Sequence, residues 1–266
     1  MNRRQLIQFF AGLGVAASLI SAPVLAQDKP IKIGVTAGPH AEIMEQVKKL
    51  LEKDGVKLQI VEFTDYIQPN VALSSGDLDA NSYQHQPYLD AQIKDRGYKL
   101  VSVGTTITFP MGVYSKKIKS LKDVKEGGRI GVPNDPTNGG RALLVLQAQG
   151  LIKLKADAGL KATPLDVIDN PKKIKIVELD AAQLPRSLDD FEAAVINGNF
   201  AESAGLSPTK DAIAVEASTG PYANVLAVRI ADKDKPWVAK LVKAYHSPEV
   251  KKFVIEKYKN SVITSW

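Results

Sequence analysis

Residues 31–53 read IKIGVTAGPHAEIMEQVKKLLEK. The opening run, Ile31-Lys32-Ile33-Gly34-Val35, has the composition of a short strand. Gly38 and Pro39 turn the chain. Ile43, Val47, Leu50 and Leu51 then recur at helical spacing until Gly55 ends the pattern. A strand passing through a short turn into an amphipathic helix is the unit of an α/β sheet. The unit recurs. An alternating run covers 57–62, and a short helix carries Val71 and Leu73 before Ser75-Gly76. A brief strand covers 78–80, a helix 87–96 and an extended run 100–109. This βαβα order predicts an α/β fold with a largely parallel sheet.

The pattern is interrupted at Phe109-Pro110-Met111-Gly112 and restarts. Arg129-Ile130-Gly131-Val132-Pro133 echoes the first strand, a helix follows over 140–149, and strand-like runs cover 174–179, 191–196 and 225–230. Two helical runs end near Tyr258. Two similar α/β halves are the economical reading, with the chain crossing between them near 109–114 and again near 222–228. We expect one lobe from 27–110 plus 226–266 and the other from 111–225. A ligand would sit between them, at the carboxyl ends of the strands.

The first 26 residues read as an address. Arg3 and Arg4 precede an apolar run over 9–20, Pro23 breaks it, and Val24-Leu25-Ala26 offers a cleavage site before Gln27. That is the pattern of a secretory signal peptide, and the arginine pair also fits a twin-arginine signal. Export to the periplasm is therefore expected, with a mature chain of 240 residues once 26 of the 266 are removed. The chain has no cysteine, which leaves no disulfide, thiol nucleophile or thiolate metal site. Three histidines are too few and too scattered for a metal cage. The lysines alternate with acids and apolar residues, as on solvated faces, and no nucleic acid is expected as a partner. No metal or cofactor is expected.

Four segments could carry chemistry. NSYQHQPYL, residues 81–89, packs Tyr83, His85 and Tyr88 among amides, which suits either a pocket for a small, partly apolar ligand or an aromatic loop on the core. Thr36 to His40 opens the first helix, where backbone N–H groups favour an anion, although every α/β unit contains such a turn. PNDPTNGGR, residues 133–141, offers caps, glycines that let the backbone approach a ligand, and Arg141 for a carboxylate. Asn197-Gly198-Asn199 stands at a strand's end, where amides take up an ammonium group or a backbone-like amide or simply make a tight turn, and Asn224 at the second crossing carries the same alternatives. Asp65 beside Tyr66 reads equally as a helix cap. No G-x-S-x-G, HExxH, Walker or G-x-G-x-x-G motif occurs.

The ordered set GVTAGPHAEIM, FTDYIQPN, DANSYQHQPYL, PNDPTNGGRAL, NPK, AAVINGNFA and YAN resembles the NlpA lipoprotein family, the substrate-binding proteins of methionine ABC importers. The resemblance runs from about Ile31 to the C-terminus. It implies the two-lobed periplasmic binding protein fold, type II, closing on one amino acid. It further implies that Tyr66, Tyr83 and His85 line the side-chain end of the pocket, that Arg141 takes the carboxylate, and that Asn199 and Asn224 hold the head group. The implied partners are a methionine-like amino acid and the membrane permease and ATPase of an importer, and the expected state is a monomer. A receptor for another small amino acid or derivative is the alternative, then a periplasmic enzyme on a similar scaffold. One departure stands out. Gln27 occupies the place of the lipid-bearing cysteine, so a freely periplasmic protein without a lipid anchor is expected.

Overall fold

β1 (Ile31–Thr36) and α1 (Pro39–Lys53) form where the opening stretch places them. Ile33 and Val35 of the strand, and Ile43, Val47 and Leu51 of the helix, are buried against one another. The structure is a computed structural model that describes residues 29–266, so the expected leader lies outside the described residues. β2 (Leu58–Phe63), α2 (Gln68–Ser75), β3 (Ala80–His85), α3 (Gln86–Arg96) and β4 (Leu100–Thr105) continue the first lobe. β5 (Ile107–Thr108) leads to the first crossing.

The second lobe runs from β6 (Gly112–Tyr114) through β7 (Arg129–Pro133) and α4 (Pro136–Ala148). A small antiparallel pair follows, β8 (Lys153–Leu154) with β9 (Val167–Asp169). β10 (Lys175–Leu179), β11 (Ala193–Ile196), α5 (Gly198–Ser203) and β12 (Ala212–Val215) complete the lobe. The chain then returns as β13 (Asn224–Arg229), α6 (Pro236–Tyr245), α7 (Pro248–Tyr258) and β14 (Ile263–Thr264). Asn224 already pairs with His85, so the second crossing is complete at that residue.

Each lobe holds one five-stranded sheet, ordered β2-β1-β3-β13-β4 in the first and β10-β7-β11-β6-β12 in the second. β1 runs parallel to β2 and β3, but β13 runs antiparallel to β3 and β4, and β6 antiparallel to β11 and β12. The sheets are thus more mixed than the βαβ pattern predicts. The reason is topological: β6 and β13 arrive from the opposite lobe, so no helical crossover fixes their direction.

Two local readings also shift. The brief strand expected at 78–80 is β3, which extends to His85 with all six residues buried. Its polar, aromatic sequence hides the strand, because both faces are enclosed and no alternation survives. The second-lobe helix starts at Pro136, four residues early, because Asp135 caps it through the Asn138 N–H at 2.9 Å. Asp65 stands two residues before the Ile67 N-cap of α2 and accepts from the N–H groups of Ile67 and Gln68, which turns the chain into the helix.

The turn into α1 serves the fold rather than an anion. Gly38 has φ +83°, and a Cβ there would lie 2.2 Å from Ser203 Oγ on the second lobe. Next to it, His40 Nδ1 lies 2.8 Å from Thr36 Oγ1, and Nε2 lies 2.8 Å from the Asn224 amide of β13. His40 therefore joins β1, α1 and the returning strand. Burial pushes its pKa down to about 3, so the ring is neutral.

A histidine held neutral binds a proton more readily in the unfolded chain. Its share of stability is whole above about pH 6.5 and is lost as pH falls toward about 3. Chemical denaturation at pH 7 and pH 5 should show native stability falling by about 2 kcal/mol more than that of a His40→Gln variant. Equal losses in the two proteins would mean that His40 is protonated in the fold.

Candidate functional site

A narrow, nearly closed cavity lies between the lobes, with about 350 Å³ of empty space counting the part open to solvent. One wall is aromatic. Tyr66 lies 5.9 Å from Tyr83, 6.1 Å from Tyr88 and 4.8 Å from Phe200 of the second lobe, ring centre to ring centre. The hydroxyls of Tyr83 and Tyr88 both donate to the Tyr66 carbonyl at 2.9 Å, while the Tyr66 hydroxyl reaches across to Asn199 Oδ1 at 2.5 Å. With the hydroxyls occupied in this way, the wall offers ring surface to an apolar side chain. Burial raises the pKa of all three phenols, so they stay neutral.

Gln84, which lines the cavity, belongs to an amide cluster. Asn70 and Gln84 exchange hydrogen bonds at 2.8 Å, and Asn81 donates to Asn70 at 2.9 Å. All three are buried and satisfied through one another, which fixes the side chains of β3.

His85 ends β3 and caps α3: its Nδ1 accepts the Tyr88 N–H at 3.1 Å. An N–H can only donate, so the neutral ring carries its proton on Nε2 and donates it to Asn138 Oδ1 of the second lobe at 3.0 Å. Burial, helped by the Arg141 charge, lowers its pKa to about 3. Asn138 has the complementary arrangement. Its Nδ2 donates to Asp135 Oδ2 at 2.8 Å, and its Oδ1 also accepts from Asn197 Nδ2 at 2.7 Å.

Arg141 on α4 is 3% exposed and reaches the cavity wall. Glu216, just after β12, grips one edge of the guanidinium, with Nε at 2.9 and 3.1 Å and Nη2 at 2.5 Å from its carboxylate oxygens. Nη2 also donates to the Phe109 carbonyl at 2.8 Å, and the Tyr222 ring lies 4.0 Å from the guanidinium carbon. Among the described residues, Nη1 has no hydrogen-bond partner, and Asn199 Nδ2 has none either.

Tyr66, Tyr83, His85, Arg141, Asn199 and Asn224 all line this one cavity. Asn224 is partly committed, since its amide meets His40. The glycines of the second helix start do not approach a ligand: a Cβ on Gly140 would lie 2.4 Å from the Leu160 carbonyl, so this residue admits a neighbouring segment instead. Sequence reasoning passed over Glu216 altogether. Asp135, Asn138 and Tyr222 lay inside segments of interest without a role of their own, and Asn197 was named only with its neighbouring amide. Glu216 has no local motif at all, because its partner is 75 positions away.

Similarity to known proteins is extensive. The NlpA lipoprotein family matches residues 31–266. The D-methionine-binding lipoprotein MetQ of Salmonella typhimurium is 49% identical over 264 residues, covering 97% of each chain. Outer membrane lipoprotein 3 of Mannheimia haemolytica is 47% identical over 98% of this chain and 99% of its own. A nutrient-binding protein from Burkholderia cenocepacia, in a structure bound to methionine, is 61% identical with a TM-score of 0.87, over 89% of this chain and 100% of that one. These findings overturn the expectation of a protein without a lipid anchor. The family and its relatives are lipoproteins, which implies a periplasmic or membrane-associated location. That expectation rested on one missing cysteine, at a position that lies outside the described residues, whereas the kinship spans residues 31–266. From β1 to the C-terminal residue, this chain belongs to the NlpA lipoprotein family.

Proposed function

We propose that this protein is the substrate-binding component of an ABC importer for methionine, working without catalysis as a monomer that delivers its ligand to a membrane permease and ATPase. The observation that carries this reading is Arg141. A buried guanidinium with Nη1 unspent faces a wall of aromatic rings across one small cavity. Such a pairing suits an amino acid with an apolar side chain. Arg141 Nη1, with Asn199 Nδ2 beside it on the wall, would take the carboxylate, and Tyr66, Tyr83 and His85 would enclose the side chain. Asn224 contributes to the head-group end. The relatives named for methionine support the ligand, and their names as binding proteins support the absence of turnover.

The lobes are taken as 27–110 plus 226–266 and 111–225, corrected by two residues at the return, since Asn224 and Val225 already pair within the first sheet and belong to the first lobe. A cleft spanned by Tyr66–Asn199 and His85–Asn138 must open for a ligand to enter. Small-angle scattering should show a smaller radius of gyration with saturating methionine than without it. An unchanged profile would speak against hinged closure.

Arg141→Ala alone would strand Glu216 as an unpaired, largely buried carboxylate, confusing affinity with stability. The paired change Arg141→Gln with Glu216→Gln avoids this. Isothermal titration should find methionine weakened roughly 30- to 3,000-fold in that variant, as expected for about 2–5 kcal/mol from a truncated buried charge contact. Affinity within about threefold of native would place the carboxylate elsewhere.

A further inference from the structure

The lysines of the second lobe alternate with acids along the chain, but two stretches of them come together in space. Residues 116–129 and 153–175 carry twelve basic residues against five acidic, a surplus of seven, whereas the whole chain has a net charge of +6. The two stretches are bound to each other. Arg129 and Lys175 stand abreast in register at the starts of β7 and β10. The Gly127 N–H donates to the Lys172 carbonyl at 2.9 Å, and the Lys172 ammonium donates to the Val124 carbonyl at 2.8 Å. Leu121 and Val124 from the first stretch, and Leu154, Ala162 and Ile174 from the second, share one buried cluster. The exposed residues between them therefore lie over a common core. Lys122, Lys125 and Lys175 are exposed, and none has an ion-pair partner among the described residues, unlike Lys155 and Lys173 nearby.

Among these cations, the excursion from β8 to β9 exposes apolar side chains: Leu160 at 42%, Leu165 at 88% and Ile168 at 56%. Leu165 is held in place. It sits in the 3₁₀ turn Pro164–Asp166, which Asp166 closes by accepting the Thr163 N–H at 2.9 Å and the Thr163 hydroxyl at 2.8 Å. Lys155 Nζ lies 3.2 Å from the other oxygen of that carboxylate. In β9, alternation sets Val167 against the core and Ile168 outward. An ordered tip that keeps a leucine in water beside a surplus of lysines fits a surface that is anionic outside and apolar within. We infer that this face of the second lobe docks on an anionic phospholipid membrane, with Leu165 and Ile168 entering the headgroup layer and the lysines meeting the phosphates. The charge surplus selects a phosphate-bearing surface, and the kinship with lipoproteins implies a membrane within reach. None of these residues lines the interlobe cavity, so the inference stands apart from the ligand reading.

The test is co-sedimentation of the full chain with vesicles, equimolar phosphatidylcholine and phosphatidylglycerol in one arm and phosphatidylcholine alone in the other. Binding should favour the anionic vesicles and fall as salt is raised. Lys122→Gln, Lys125→Gln and Lys175→Gln together should weaken it roughly 10- to 150-fold, the upper figure corresponding to about 1 kcal/mol per lysine near the surface. Leu165→Ser with Ile168→Ser should weaken it roughly tenfold, through lost apolar burial. Both variants should keep the native melting temperature, because the substituted side chains are exposed. Failure to bind anionic vesicles, equal binding to the two vesicle types, or native binding by both variants overturns the inference. So does a Leu165→Ser, Ile168→Ser protein that still binds vesicles as the native protein does but no longer stimulates a reconstituted permease and ATPase, since the face would then be a protein contact. A native dimer that the same substitutions convert to monomer would assign the face to a second copy and overturn the inference likewise.

Discussion

A guanidinium buried between two lobes is the constraint that the cleft answers to. A charge removed from water must be met by an opposite charge and by hydrogen bonds, or the fold loses several kcal/mol. Here the answer comes from four separate parts of the chain. α4 supplies Arg141, the segment after β12 supplies Glu216, the first crossing supplies the Phe109 carbonyl, and the second crossing supplies the Tyr222 ring. Glu216 is itself held by the first crossing, accepting the Met111 N–H at 3.2 Å while its own N–H donates to the Met111 carbonyl at 2.8 Å. The two connections between the lobes are thus tied to one cation. Any motion of the lobes about those connections is felt where Arg141 meets the cavity.

Apart from Arg141, the residues that line the cavity are uncharged. His40 and His85 are kept uncharged by burial, and the tyrosines are kept as phenols by the same effect. Polarity is instead carried by oriented amides. In the cluster around Gln84, Asn70, Gln84 and Asn81 satisfy one another completely. In the upper wall, Asp135, Asn138 and Asn197 leave one oxygen over. The zwitterion proposed above would suit such a place, with its carboxylate toward the cation already compensated by Glu216.

How much of this was legible varies with the range of the interaction. β1 and α1 were readable because their burial follows the local periods of strand and helix. β3 was not, because a strand buried on both faces shows no alternation, and its residues Asn81 to His85 look like a loop. Tyr66, Tyr83, His85, Arg141, Asn199 and Asn224 could be named from their motifs, and the fold brings them to one cavity. Glu216 could not, since nothing beside it in the chain distinguishes it from any other surface acid. The glycines at 139–140 were visible but misread, because the segment that packs on Gly140 lies some twenty residues downstream.

The sequence by itself determined the α/β units, the two-lobed plan and the kinds of side chain available for recognition, since each depends on local spacing and residue chemistry. Tertiary structure alone decided the directions of β6 and β13, the partner of Arg141, and which oxygen of Asn197 or nitrogen of Asn199 is left unspent. The physical reason is that a hydrogen-bonding side chain has more than one possible partner. Only the packing of distant segments determines which of those partners it meets, and therefore what it has left to offer a ligand.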